Sequence, residues 1–250
     1  LPKMKEAARE NPKVDPVFGL HCNPGIQAGK IGVTYGKAYA SSDIYEIFIK
    51  GKGTHGAEPH KGVDAIAVGA QIVTALQNIV SRNTDPVDAV VVTIGEFHAG
   101  YQKNIVADRA ELSGIIRTLD PETREKTKER LIKTVTGIAT AMGAEAEIEM
   151  TPSYPSLIND NVMVDLMISS AKELIGKDNV IVIEKPAMGV EDFAYFLQLV
   201  PGAFFQLGVR NEDKGIIHPL HNSLFDIDED ALPIASAILS SIAVDFLNHN

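Results

Sequence analysis

The sequence predicts an α/β protein of two domains, with a ferredoxin-like domain inserted into a larger one. Three observations predict it. Residues 42–151 carry the order strand, helix, strand, strand, helix, strand, which is the ferredoxin-like succession. The flanking parts, 1–41 and 152–250, alternate helix and strand, as a mostly parallel sheet covered by helices does. And 45% of the 250 residues are apolar, enough to fill a core in each part.

In order along the chain, "VDPVFGLH" reads as a short buried strand ending at His21, followed by the Gly- and Pro-rich stretch "NPGIQAGKIG". "DIYEIFIK" alternates polar and apolar residues over part of its length, as a strand with one wet face does. Over residues 63–81, Ile66, Ile72, Val73, Leu76 and Val80 recur at helical spacing. "DAVVVTIGEF" and "AELSGIIRT" read as strands. The next helix is punctuated at both ends: Asp120 as N-cap, Pro121 at the first position, Gly143 as C-cap. "AEAEIEM" closes the inserted unit. After the linker "TPSYPSLINDN", a helix capped near Asn159 or Asp160 runs to about Ile175. Strand "NVIVIE", short helix "EDFAYFLQL" and strand "AFFQLGV" follow, then a loop with two histidines and a long helix from about Asp230. The first residues, "LPKMKEAARE", read as the tail of a helix with no cap before it, so further chain is expected upstream.

Bulk properties narrow the function. A net charge of -10 and a pI near 5.2 argue against nucleic acid and anionic membrane as partners. One cysteine, Cys22, excludes an internal disulfide and points to a reducing, cytoplasmic compartment. Beside His21 on a strand, it reads as a small buried hydrophobe. No run of about 18 apolar residues is evident, so no membrane span is expected.

"GKGTHG", residues 51–56, matches the dinucleotide pattern G-x-G-x-x-G. Three features oppose that reading. The strand before it is charged along its length, whereas a dinucleotide-binding first strand is buried on both faces. "AEPHKGVD" separates the third glycine from the helix, so no helix N-terminus faces a pyrophosphate. No acidic residue closes a second strand about 20 residues on. The stretch is better read as "HGAEPHKGVDA", placing His55 and His60 in a mobile-backbone loop that could contact a ligand or be merely solvated.

Other chemistry-bearing residues are scattered. His21 closes its strand as a metal ligand, a catalytic group or a satisfied buried histidine. His218 and His221 lie in a polar loop, and either could ligate a metal. Glu191 and Asp192 open a helix, where capping alone would explain acids. Asn104 and Arg117 sit at strand ends of the inserted domain; Arg117 could grip a carboxylate with both arms or form a surface ion pair. His98 and His249 read as surface residues. Motifs such as H-E-x-x-H or paired C-x-x-C are absent.

Taken together, "FGLHCNPGIQAGKIG", "KGKGTHGAEPHKGVDAI", "KNIVADRAELSGIIRT", "YPSLINDN", "MGVEDFAYF" and "HPLHNSLFDIDEDAL" resemble, in that order, the amidohydrolase branch of the di-zinc aminoacylase/carboxypeptidase superfamily. The branch includes hippurate hydrolases, indoleacetyl-amino-acid hydrolases and N-acetyl-diaminopimelate deacetylases. The resemblance runs from about Phe18 to the C-terminus. It implies a metallopeptidase-like catalytic domain interrupted by a ferredoxin-like lid that also dimerises. It implies hydrolysis of the amide bond of an N-acyl amino acid or short peptide-like substrate by a metal-activated water. It implies two divalent metal ions, zinc first, with manganese, cobalt or nickel as alternatives. His21 and His221 match metal ligands, and His55 matches an oxyanion-stabilising group. Asn104, Arg117, Glu191 and His60 match the substrate-binding side, with Glu191 near the metals. The family's Cys-Gly-His motif and Glu-Glu pair, which hold the other ligands and the general base, do not occur in these 250 residues. That departure leaves a second reading open: a binding or dimerisation module with half a metal site.

Overall fold

The computed structural model describes residues 14–249. The expected helix tail at residues 1–10 and the side chain of His249 lie outside the described residues. The strands and α-helices, in chain order, are β1 (Val17–Gln27), β2 (Ile31–Val33), β3 (Lys37–Tyr39), β4 (Ser41–Lys50), β5 (Thr54–His55), α1 (Ala65–Asn83), β6 (Val90–Ala99), β7 (Ile105–Val106), β8 (Arg109–Thr118), α2 (Pro121–Ala141), β9 (Glu145–Pro152), β10 (Leu157–Ile158), α3 (Asn161–Ile175), β11 (Val180–Val182), α4 (Ala194–Leu197), β12 (Gly202–Arg210) and α5 (Ala231–His249). They form two compact units. One is Ala40–Ser156 with Met188–Val190; the other takes the residues up to Tyr39, Leu157–Ala187 and Glu191 onward.

In the Ala40–Ser156 unit, four antiparallel strands lie in the order β6-β8-β4-β9. The period-2 pattern of β4 sends Tyr45, Ile47 and Ile49 to one face, where they join Leu112 and Ile116 of β8. α1 lays Val68, Ile72, Leu76 and Ile79 on that face, and α2 lays Leu131, Val135 and Ala139 there. Each fully buried side chain of this size contributes about 1.5–3 kcal/mol relative to exposure. Both helices start at an aspartate: Asp64 accepts from Ile66 N and Ala67 N, and Asp120 from Glu122 N and Thr123 N. Gly143 follows the Met142 cap at φ 79°, the left-handed turn that glycine tolerates. A two-pronged ion pair ties α2 to the sheet: Arg124 Nε and Nη2 each lie 2.7 Å from an oxygen of Asp43, which is 1% exposed. A carboxylate that buried needs such a matched fork to offset its lost hydration.

The other unit holds a sheet in the order β1-β12-β2-β11. It is mixed rather than mostly parallel: β1 with β12 and β2 with β11 are parallel, while β12 and β2 are antiparallel. β1 does not end at His21. It continues through Pro24 to Gln27, because the ladder to β12 slips between Asn23 and Gln27, where a residue without an N–H breaks no bond. Ile31, Val33, Phe205, Leu207 and Val209 of the sheet pack with Val164 and Met167 of α3 and with Ala235, Ile238 and Ile242 of α5. Asp160 caps α3, accepting from Val162 N and Met163 N. Asn159 instead stands in for a strand. It is 3% exposed; its Oδ1 accepts from Phe204 N at 2.9 Å, and its Nδ2 donates to Thr34 O at 2.8 Å and to Phe204 O at 3.3 Å. Within α5, Ala231–Asn248 has a mean hydropathy of 1.6 and is long and apolar enough to cross a membrane by length and composition alone. Its Ser240, Ser241 and Asp245 interrupt any unbroken apolar run, and its apolar side chains Ala231, Ala235, Ile238 and Ile242 lie in this unit's core.

Candidate functional site

Two groups of chemically capable side chains emerge, one in each unit. The first centres on His21. Its Nδ1 lies 2.8 Å from the carbonyl oxygen of Cys22. A carbonyl oxygen can only accept, so Nδ1 carries the proton and the Nε2 lone pair is left free. A metal-ligating or proton-accepting histidine needs that tautomer. His21 is in register with Gln206 on β12. Gln206 receives the Asn23 side-chain amide and bonds the Tyr39 hydroxyl. Burial pushes the Tyr39 hydroxyl up, and the charge of Glu191 adds to the rise.

Glu191 belongs to the same group. Burial pushes its carboxyl up, opposed by the Phe193 N–H at 3.3 Å and by His21, while Asp192 raises it further. The expected helix start is displaced: α4 begins at Ala194 after Phe193, a cap whose side chain makes no hydrogen bond, so Glu191 and Asp192 occupy the turn before it. Gly19 fixes that turn against β1. A Cβ at Gly19 would lie 2.7 Å from the Phe193 ring, which stacks at 5.4 Å on Phe204. Cys22, expected to be buried, is half-buried against this unit's core, with its thiol pushed up by burial.

The second group centres on His55. β5 and β7 form a two-residue antiparallel ladder in which His55 faces Ile105. Gly56 N donates to Asn104 O at 2.7 Å, bringing Asn104 beside His55. The Ala57 N–H donates to His55 Nδ1 at 3.1 Å. An N–H can only donate, so Nδ1 is bare and the neutral ring carries its proton on Nε2. His55 therefore has the opposite tautomer to His21: an Nε2–H donor on an exposed loop. His60 stands exposed on the short turn Pro59–Lys61. Arg117 is in the same unit, on β8 opposite Ser42 and Val91. Its Nη1 is buried and has no hydrogen-bond partner among the described residues.

His221 lies in the loop between β12 and α5, exposed, at φ 61°. His218 is half-buried in the same loop, and His98 is exposed, as expected. No three His, Cys, Asp or Glu side chains among the described residues converge to hold a metal ion. The donors present do not fit a complete metal site. Tyr39, Gln206 and Asn23 were not foreseen as companions of His21. Gln206 carried a signal, as the lone polar residue in the apolar run "AFFQLGV"; Tyr39 carried none.

The model of peptidase family M20/M25/M40 matches residues 1–245. The chain belongs to this family. It is 36% identical over 236 residues to thermostable carboxypeptidase 1 of Saccharolobus solfataricus, covering 94% of this chain and 59% of that one. It is 36% identical over 231 residues to N-acetylcysteine deacetylase of Bacillus subtilis, covering 92% and 59%. A solved Bacillus subtilis protein, YxeP, described as a dinuclear metal-binding peptidase of family M20, matches with TM-score 0.75 and 32% identity over 94% of this chain and 58% of that one. The chain thus spans about 59% of the length of the curated relatives it matches.

Proposed function

We propose that the complete protein is a metal-dependent hydrolase of the amide bond in N-acyl amino acids or short peptide-like substrates. Membership of the family supports the class, since relatives bear the names carboxypeptidase and deacetylase. The observation that carries the reading is the pair of opposite tautomers. His21 offers a free Nε2 lone pair, held by the Cys22 carbonyl, and His55 offers an Nε2–H, held by the Ala57 amide. A metal-dependent amide hydrolase can use both: a lone pair on the metal side and a neutral donor for the oxygen that turns anionic as the acyl carbon becomes tetrahedral. Arg117, whose Nη1 has no partner among the described residues, and Asn104 suit the substrate's carboxylate.

We read Ala40–Ser156 as the ferredoxin-like lid, supported by its strand order and its two helices on one face. A second copy of the chain is its proposed partner there. β6 is an edge strand, and Val87, Val91 and Phe97 on and beside it are exposed. His60 and Glu191 are proposed on the substrate side, and His221 with His21 on the metal side. Two histidines do not complete such a site, so no reaction step is assigned to a metal here. The proposed compartment is the cytoplasm.

The test is acyl release from N-acetyl, N-benzoyl and indoleacetyl amino acids with zinc, manganese or cobalt, by this chain and by a form extended to its relatives' length. Turnover in the extended form is expected, and His55→Ala should lower its kcat by on the order of 10²-fold. Unchanged kcat in that variant removes His55 from the reaction. No turnover with any metal would favour a binding or dimerisation module.

A further inference from the structure

We propose that Asp228 is a positioning residue that holds the loop bearing His218 and His221 by clamping its stem. The proposal rests on the reading of His221 as a site residue, and it concerns how that residue is held. Two independent observations meet in this loop. His221, at φ 61°, is the only non-glycine residue with positive φ among the described residues. A side chain with a Cβ occupies that region only where its surroundings impose it. Yet the local surroundings impose little. Residues 219–224 are exposed. Their bonds are short-range turns: Asn222 N to Pro219 O at 3.4 Å, Leu224 N to Asn222 Oδ1 at 2.8 Å, Phe225 N to Asn222 O at 3.0 Å. The constraint must come from the loop's ends.

The ends are joined by one buried carboxylate. Asp228 is 3% exposed. It accepts from Lys214 Nζ at 2.7 Å, Asn211 Nδ2 at 2.5 Å and Asp230 N at 3.3 Å, and its own N–H donates to Val209 O at 3.0 Å. Asn211 in turn exchanges both backbone bonds with Ile216, at 3.0 and 2.8 Å, and its Oδ1 accepts from Lys214 N at 3.1 Å. The outgoing arm, 211–216, is thereby tied to the returning arm at 228. Lys214 and Asn211 hold the Asp228 carboxyl well below the usual carboxylate range, at about 2. Lys214 Nζ also meets Asp230 at 2.8 Å, but that carboxylate is 83% exposed and solvated, so it anchors little. Asp228 touches nothing that reacts; it acts through the path of the chain between the two arms.

The test uses Asp228→Asn and Lys214→Met, with Lys214→Arg as the conservative control. Amide hydrogen exchange is followed across the chain, and the φ-sensitive three-bond HN–Hα coupling is read at His221. Both disruptive variants should speed exchange across residues 216–226 by about tenfold or more while α3 and β12 keep their protection, and should shift the His221 coupling. Lys214→Arg should retain both signals. Unchanged loop exchange in the two disruptive variants would overturn the proposal. So would equal acceleration throughout the chain, which would make Asp228 a general stabiliser. Lys214 is half exposed, so its variant reports even where Asp228→Asn folds poorly. None of these readings uses turnover. Failure here leaves the hydrolase reading standing, and an inactive extended protein leaves this one standing.

Discussion

Arg117 carries a cost that its own fold does not recover. A buried donor without a partner costs about 1–3 kcal/mol, and Nη1 of Arg117 is such a donor among the described residues. If the guanidinium is kept for a substrate carboxylate, removing it should move stability and binding in opposite directions. Arg117→Met is expected to leave the thermal midpoint unchanged or raised, while KM of the extended enzyme rises by about tenfold or more with kcat less affected. A clear fall in midpoint would instead make Arg117 a structural residue. At this scale the sequence named candidate side chains but could not give their states. His21 and His55 stand out by residue type; their opposite tautomers depend on where the Cys22 carbonyl and the Ala57 amide point. No pattern of residue types encodes that direction.

Elements were legible where a local rule governs them. α2 and α3 start at Asp120 and Asp160, each of whose side chains takes up two backbone amides, so cap chemistry marked those boundaries; α1, capped by Asp64, was marked instead by its helical apolar spacing. β4 was marked by alternation over part of its length. The strands of two or three residues, β3, β5, β7 and β10, have no periodicity to read, and the passage of β1 through Pro24 runs against the local signal. The packing of β8 between its neighbours was equally hidden. Tyr45 Oη reaches across Gly114 to donate to Thr93 O at 2.9 Å, and burial holds that hydroxyl protonated well above the usual range. A Cβ on Gly114 would lie 1.9 Å from Thr93 O and 2.5 Å from Tyr45 Oη. Because the nearer atom is backbone, it cannot turn aside. Gly114→Ala is therefore expected to destabilise the protein by about 1–3 kcal/mol or more, read as a lowered denaturant midpoint. A change within about 0.5 kcal/mol would mean that β8 can shift without loss.

At the scale of the whole molecule, each unit has its own core, and the Ala40–Ser156 segment is continuous in the chain. It opens on β4 and closes on β9, which are paired with Asp43 opposite Pro152, so its two ends emerge side by side. The order of chemical motifs along the chain was legible; the split of the His21 group and the His55 group between two units follows from pairings distant in sequence, which composition and periodicity do not record. On the sheet face without helices, Glu46 stands opposite Glu149, and Phe48 lies between Glu111 and Glu147. Charges so placed discourage indiscriminate sheet stacking. The β6 edge, with Val91 and Phe97 exposed, is the proposed place for association. Residues 40–156 expressed alone should therefore unfold in one cooperative transition, with coincident near- and far-UV circular dichroism. Loss of near-UV signal with retained helix would show that this core needs the rest of the chain. Sedimentation of the same fragment should give twice the monomer mass. A concentration-independent monomer would remove the second copy of the chain from the β6 edge and leave the tautomer argument for hydrolysis untouched.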